Sequence, residues 1–295
     1  MLRRHFLTLP AAMFLTLKTG LTFGADGKEV DSRKIVFLAD THIGPDVPNH
    51  AANLKRIVDE ILAMNPRPAM VFILGDLVST YGKAEEYIEI RGLLQPLNEA
   101  GIPWHLVVGN HDTRERMFEV FPEKRLQIDG IPGKQVGIVE ADGVDFIILD
   151  SRMDDTRAYM AEKEKFPNRR PWDGTMEAES VAWLEKTLPE REKPCFILAH
   201  HPLEQTKIGP LLGKFPCVQG YLFGHNHEYR RYNFTCEPGP IRAFAFPTTS
   251  NRQLTPEEPN GFMVMEIQPT KFEFTLHSLD EKHPLADDVK EMERK

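Results

Sequence analysis

The chain has 295 residues, 41% of them hydrophobic and 27% charged, which is ordinary globular composition with length enough for a large core. Its formal net charge is −8 and no block rich in lysine and arginine stands out, so a nucleic-acid polymer is not expected as a partner. Three cysteines, Cys195, Cys217 and Cys236, cannot all pair within one chain, and their spacing fits no zinc knuckle.

The first residues read as an export signal over 1–25 rather than as fold. Arg3 and Arg4, with Phe6 and Leu7 just behind them, resemble the twin-arginine export motif, and a short apolar stretch and small residues follow. Lys18 and several threonines interrupt that stretch, and a membrane span needs roughly 20 largely apolar residues, so no stable membrane anchor is expected. With no cysteine before Cys195, there is no lipoprotein attachment site near the signal. These features predict an exported protein, periplasmic or extracellular, whose mature form is more acidic than its precursor.

A short apolar run, Ile35–Ala39, predicts a buried strand ending in Asp40. Leu54, Ile57, Val58, Ile61 and Leu62 give 50–64 the pattern of an amphipathic helix. Further along, 70–74 reads as a strand ending in Gly75-Asp76, 84–99 as a helix, and 104–108 as a strand ending in Gly109-Asn110-His111-Asp112. Runs at 135–140 and 144–150 flank Ala141-Asp142-Gly143, a hairpin signal. The segment 152–175 is polar, charged and long for a loop, which marks it as functional or disordered. A helix is expected at 177–188, then strands at 195–199, ending in His200-His201-Pro202, and at 218–223, ending in Gly224-His225-Asn226-His227. Alternation predicts strands at 242–247, 263–267 and 272–277, in a single domain over 33–280 with a charged, frayed tail at 281–295. Cys195, inside an apolar run, reads as a buried small hydrophobe. Cys217 and Cys236 are either free or bridged after export.

Five separate apolar strands thus end in clusters of Asp, Asn or His. Sites in open α/β sheets form at the carboxyl ends of strands, so such ends can converge in space. One Gly-Asp after a strand is usually a turn, and one His is usually structural; the set together is not so easily dismissed. Mixed carboxylate and imidazole donors without a thiolate suit Mn, Fe or Zn in a reactive site rather than a structural zinc.

The ordered set Asp40-x-His42, Gly75-Asp76, Gly109-Asn110-His111-Asp112, His200 and Gly224-His225-x-His227 resembles the calcineurin-like metallophosphoesterases, from about Lys34 to at least His227. The resemblance implies an α/β fold, a four-layer αββα sandwich with mixed sheets, and two divalent metal ions of unspecified identity. It implies that Asp40, His42 and His227 hold the first ion, that Asn110, His200 and His225 hold the second, and that Asp76 bridges them. A carboxylate can span ions about 3.5–4 Å apart, and two dications bring a bridging water toward hydroxide at neutral pH, the nucleophile for in-line attack on phosphorus. His111 matches the family's non-ligand histidine, expected to stabilise developing charge or protonate the leaving oxygen. Asp112 is expected to orient a neighbouring group. His201 either lines the site or packs.

The stretch from Gly75 to Asp112 looks like the cyclic-nucleotide phosphodiesterase branch of the family. Purple acid phosphatases place a tyrosine ligand where this chain has Ser79, which argues against that group. Serine/threonine protein phosphatases carry an arginine soon after Gly-Asp; here none follows Asp76 until Arg91, although Arg114 lies close to His111. Substrate selection should fall to loops. Arg252 is a candidate for meeting a phosphate or a base, and Arg169 and Arg170 are read first as solvated charge. The reading is a hydrolase of small phosphoesters, most simply a diesterase. An exported phosphomonoesterase is the alternative within enzymes, and a non-catalytic binding module on the same fold is the alternative outside them. Degenerate modules should lose ligands, and every ligand position here is filled.

Overall fold

The computed structural model describes residues 21–24, 27–79, 82–153 and 172–295. Most of the expected export signal, and the stretch of the long segment that contains Arg169 and Arg170, lie outside the described residues.

Two mixed sheets face each other. The first contains β2 (Glu29–Leu38), flanked by β3 (Arg67–Ile73) and β11 (Gly261–Ile267), and runs on to β4 (Trp104–Leu106) on one side. On the other side it runs to β12 (Lys271–Ser278) and β13 (Val289–Glu293), while β1 (Leu21–Phe23) pairs antiparallel with the start of β2. The second sheet follows the order β5 (Gly137–Ala141), β6 (Val144–Ile148), β7 (Cys195–Leu198), β8 (Val218–Phe223), β10 (Ile241–Ala245), β9 (Arg230–Phe234). Strands β2, β3 and β4 are parallel, as are β6, β7, β8 and β10.

Alternation along the buried strands explains the layering. Ile35, Phe37 and Ala39 point into a core between the sheets, with Phe72, Phe146, Phe196, Phe244 and Phe274. Val36 and Leu38 point the other way, against α1 (Pro48–Ala63), α2 (Ala84–Glu99) and α3 (Arg114–Val120), which offer Leu54, Ile57, Tyr87, Ile90 and Met117. On the second sheet Cys195, Ile197, Tyr221 and Phe223 form a third core with Leu184 of α4 (Ala178–Thr187) and with Leu203 and Leu212 from two single-turn helices. Three cores separate four layers, the αββα sandwich. Because both faces of the central strands are buried, these strands read as continuous apolar runs rather than alternating ones.

Some elements depart from the sequence expectation. The charged tail does not fray: β13 pairs with β12 from Thr275↔Val289 to Lys271↔Glu293, Met292 enters the inter-sheet core, and Lys271 bonds Glu273 and Glu291. Val289 and Met292, three apart among charges, do not alternate with the period of a strand and so do not announce one. Strand β9 was hidden because it is short and polar, with only Tyr232 and Phe234 partly buried against the third core. All three cysteines are free; Cys236 Sγ donates to Gly239 O, so Cys217 and Cys236 do not bridge here. Among the described residues no helix is long and apolar enough to cross a membrane.

Candidate metal centre

The parallel strands deliver the five clusters to one edge of the sandwich. Beyond β2 and β3 the two loops stay hydrogen-bonded: Asp40 N–H donates to Gly75 O (3.1 Å), His42 N–H to Asp76 O (3.0 Å) and Ile43 N–H to Leu77 O (2.9 Å). From the second sheet, His225 N–H donates to the Asp40 carboxylate (3.1 Å). His111 N–H donates to Asp76 Oδ1 (2.8 Å), joining the third loop.

The ligand atoms form two groups that share Asp76. In the first, His42 Nε2 lies 3.0 Å from His227 Nε2, and Asp40 Oδ1 lies 3.4 Å from His227 Nε2. In the second, Asn110 Oδ1 lies 3.0 Å from His200 Nε2 and 2.8 Å from His225 Nδ1. Asp76 Oδ2 stands between them, 3.8 Å from His42 Nε2 and 3.3 Å from His200 Nε2. Donors bound about 2.0–2.2 Å from one ion sit roughly 2.9–3.6 Å from each other in tetrahedral or octahedral arrays. The observed separations cluster about those edges, from 2.8 Å to the longer 3.8 Å between Asp76 Oδ2 and His42 Nε2, so the residues present suit divalent ions. Asp40, His42, Asp76 and His227 also group within one ion's reach as acid and imidazole donors.

The backbone is strained where the donors converge. Asp40, His42, Asp76, His225 and His227 all have left-handed φ, between 44° and 65°. Such conformations cost a non-glycine residue about 1–3 kcal/mol and persist where surrounding contacts impose them. Gly109 shows how little room remains: a Cβ there would collide with the backbone N and carboxylate of Asp76.

Ring tautomers are set by carbonyls behind the site. His200 Nδ1–H donates to Leu74 O (2.8 Å), and His227 Nδ1–H donates to Arg252 O, so each turns Nε2 inward toward the carboxylates. Burial lowers the pKa of His42 to about 3 and of His225 to about 4, which keeps both rings neutral, the form a metal takes. For His200 burial is outweighed by Asp76, and the ring is pushed up to about 9; for His227 burial is outweighed by Asp40. Reciprocally, burial would raise Asp40 and Asp76, but their imidazole neighbours hold both below the ordinary carboxylate range.

A cavity of about 360 Å³ opens over the donors, lined by His42, Asp76, Asn110, His111, His225, His227, Arg252 and Trp172. His111 Nδ1–H donates to Ser79 O (3.1 Å), which makes Nε2 the atom able to accept or deliver a proton. Ser79 thus contributes its carbonyl where the purple enzymes place a tyrosine. Asp112 does not reach the cavity. It is fully buried and accepts from Gly109 N–H (2.8 Å), Leu77 N–H (3.1 Å) and Tyr87 OH (3.3 Å), tying the two ligand loops to α2. Burial and Asp76 push its carboxyl up to about 7 against the pull of those N–H donors. His201 is also fully buried, with both ring nitrogens engaged, so it packs behind the site instead of meeting substrate. Arg114 turns its guanidinium onto Asp150, not toward the cavity. Trp172 was missed by sequence reasoning. An aromatic in a polar loop was the available signal, but nothing local said where the loop folds.

A four-layer sandwich carrying an acid–imidazole site built for divalent ions defines a metal-dependent hydrolase. The chain matches the family described as "Calcineurin-like phosphoesterase" over residues 33–229. It belongs to that family, and with it to the divalent-metal enzymes that hydrolyse phosphoester bonds. A protein named "Probable cyclic nucleotide phosphodiesterase" from a Synechococcus species is 26% identical over 216 residues, covering 68% of this chain and 73% of that one. A "Manganese-dependent ADP-ribose/CDP-alcohol diphosphatase" of Xenopus tropicalis is 24% identical, with 76% of this chain and 81% of the other covered. Among solved structures, the purple acid phosphatase PPD1 of yellow lupin (Lupinus luteus) superposes with a TM-score of 0.65 at 13% identity, covering 89% of this chain. This chain spans about half, 54%, of the lupin chain, and the likeness is one of fold.

Proposed function

We propose that the protein is a dinuclear metal-dependent phosphodiesterase acting on a small phosphoester. The observation that carries this reading is Asp76 Oδ2, one carboxylate oxygen within 3.3 Å of His200 Nε2 and 3.8 Å of His42 Nε2, shared by two donor groups. Asp40, His42 and His227 would hold one ion, and Asn110, His200 and His225 the other. Bound there, divalent ions activate water at neutral pH and offset charge on the phosphoryl oxygens. The protein's own groups do the rest. Neutral Asn110 limits the negative charge of its group. His111, held through Nδ1 on Ser79, presents Nε2 to the leaving oxygen and moves a proton there. Arg252, which lines the cavity and has no ion pair among the described residues, meets a non-bridging phosphate oxygen. The diesterase preference is supported by relatives named as phosphodiesterases.

The test is metal analysis with bis- and mono-nitrophenyl phosphates. Two metal equivalents and faster turnover of the diester are expected. Preference for the monoester would leave an exported phosphomonoesterase instead. Activity no higher than in Asn110→Ala or His111→Ala proteins would remove the enzyme reading.

Export by the twin-arginine route, in a folded and metal-loaded state, is part of the same proposal and rests on Arg3 and Arg4. Replacing both with lysine should trap the precursor in the cytoplasm. Unchanged export of that variant would refute the route.

A further inference from the structure

We propose that Cys195 and Cys217 form an oxidisable dithiol: Cys217 attacks a disulfide oxidant such as oxidised glutathione, and Cys195, lying behind it, resolves the adduct into a Cys195–Cys217 cross-link that staples β7 to the start of β8. The pair stands apart from the metal centre, at the opposite end of the strands that deliver His200 and His225.

The two residues are neighbours in space although far apart in sequence. Cys195 opens β7, Cys217 directly precedes β8, and Cys195 N–H donates to Cys217 O (2.8 Å). A backbone hydrogen bond of that kind sets two Cα atoms about 5–6 Å apart, inside the range a disulfide spans. Both side chains lie on the third core, where Cys195 S–H donates to Cys217 Sγ and Cys217 S–H in turn to Leu188 O (3.6 Å). With the thiols already in contact, closing the bond asks for a turn of the side chains and not for movement of the strands. Cys236, by contrast, spends its thiol on Gly239 O (3.1 Å).

Accessibility divides the pair into two roles. Cys195 is fully buried, whereas Cys217 is part-exposed and lines a surface cavity of about 380 Å³ with Arg191, Phe215 and Lys295. The hydrogen bond from Cys195 lowers the Cys217 thiol to about 7, against burial and with help from the Arg191 guanidinium, so a large share is thiolate at neutral pH. The same hydrogen bond, with burial, pushes the Cys195 thiol up and keeps it from reacting first. The chemistry then runs as two exchanges. Cys217 thiolate attacks one sulfur of the oxidant: a Cys217–glutathione bond forms, the oxidant's S–S bond breaks, and the leaving glutathione thiolate takes up the proton that Cys217 released. Cys195 Sγ next attacks Cys217 Sγ from the core side. The mixed disulfide breaks, and the second glutathione leaves outward through the cavity with the Cys195 proton. The dithiol is oxidised to the disulfide and the oxidant is reduced to free thiols.

The experiment incubates reduced full-length protein with oxidised glutathione, then titrates free thiols in denaturant and maps the digested chain by mass spectrometry. Reduced wild type should titrate its three thiols. After oxidation, wild type and Cys236→Ser should each lose a pair of thiols, and a peptide joining Cys195 to Cys217 should appear. Cys195→Ala should stop at one glutathione on Cys217. Cys217→Ser should form no cross-link and take up no glutathione at Cys195. Because the cross-link closes a long loop, oxidised wild type should unfold about 5–10 °C above the reduced form, and Cys217→Ser should show no such difference. A cross-link to Cys236, glutathione that persists on wild-type Cys217, an unchanged thiol count or an unmoved unfolding midpoint would each overturn the proposal. The wild-type peptide map decides the pairing even where Cys195→Ala fails to fold.

Discussion

Asp76→Ala protein is expected to lose at least about a thousandfold in kcat/KM on a phosphodiester, equivalent to roughly 4 kcal/mol of transition-state stabilisation. It should also retain fewer than two metal equivalents. No other side chain has as many duties in the site. Its Oδ2 faces both donor groups, while Oδ1 accepts His111 N–H (2.8 Å) and so holds the loop that carries Asn110 and His111. Its own backbone is in the left-handed region, at φ 49°. On the proposed dinuclear reading, removing the carboxylate takes a ligand from both ions at once and leaves His200 without the Asp76 anion facing it. Asp76→Asn is the informative companion. It keeps size and one oxygen but lowers the charge, and should bind a single ion weakly. Metal analysis alongside steady-state kinetics checks both variants. Two equivalents and near-wild-type rates in Asp76→Ala would contradict the bridging role.

Arg114→Ala should destabilise the fold by about 3–5 kcal/mol, a large share of the roughly 5–15 kcal/mol that holds a typical domain together. Arg114 Nε and Nη2 meet Asp150 Oδ2 and Oδ1 at 2.5 and 2.6 Å, a bidentate pair with side-chain exposures of 6% and 0%. Nη2 also donates to Arg152 O (2.7 Å). Among the described residues, truncation leaves the buried Asp150 carboxylate hydrogen-bonded by the Gln135 and Arg152 backbone N–H groups, with the Lys134 and Arg152 charges nearby but not paired to it as Arg114 is. Breaking one side of such a pair costs far more than the pair itself contributes, because the remaining charge is uncompensated. Arg114→Lys should recover only part of the loss, since an ammonium cannot match both oxygens in the guanidinium plane. A double variant, Arg114→Met with Asp150→Leu, should be less destabilised than Arg114→Ala alone. Urea unfolding curves read all three. A midpoint for Arg114→Ala indistinguishable from wild type would show that the pair is not an anchor. Arg114 opens α3 directly behind His111 and Asp112, and Asp150 follows β6 on the opposite sheet. The pair therefore holds the two halves of the sandwich together near the metal centre.

Much of the site could be read from the chain because its chemistry is local in sequence. Each donor follows a strand that is buried on both faces, and such strands announce themselves as unbroken apolar runs, as Ile35–Ala39 and Cys195–Ala199 do. The glycines before the donors mark places where backbones approach too closely for a Cβ, as at Gly109. The residue types of the donor set, and their order along the chain, were therefore legible without coordinates. Individual roles were less so. His200 and His201 are adjacent histidines with the same local surroundings, yet one turns Nε2 to Asn110 and Asp76 while the other is spent on Ser151 and Trp172. Which way each ring faces depends on partners far away in sequence, Leu74 for one and Trp172 for the other.

Pattern and residue type, which are properties of neighbouring residues, determined most of the strands and helices, the class of chemistry and the candidate metal donors. Tertiary structure alone decided what depends on contacts between distant segments. It folded the charged tail into β13, placed Asp112 behind the loops, sealed His201 away from substrate and set Trp172 at the mouth of the cavity. The reason is the same in each case. Burial and hydrogen-bond partners are supplied by segments remote in the chain, and no local pattern encodes them.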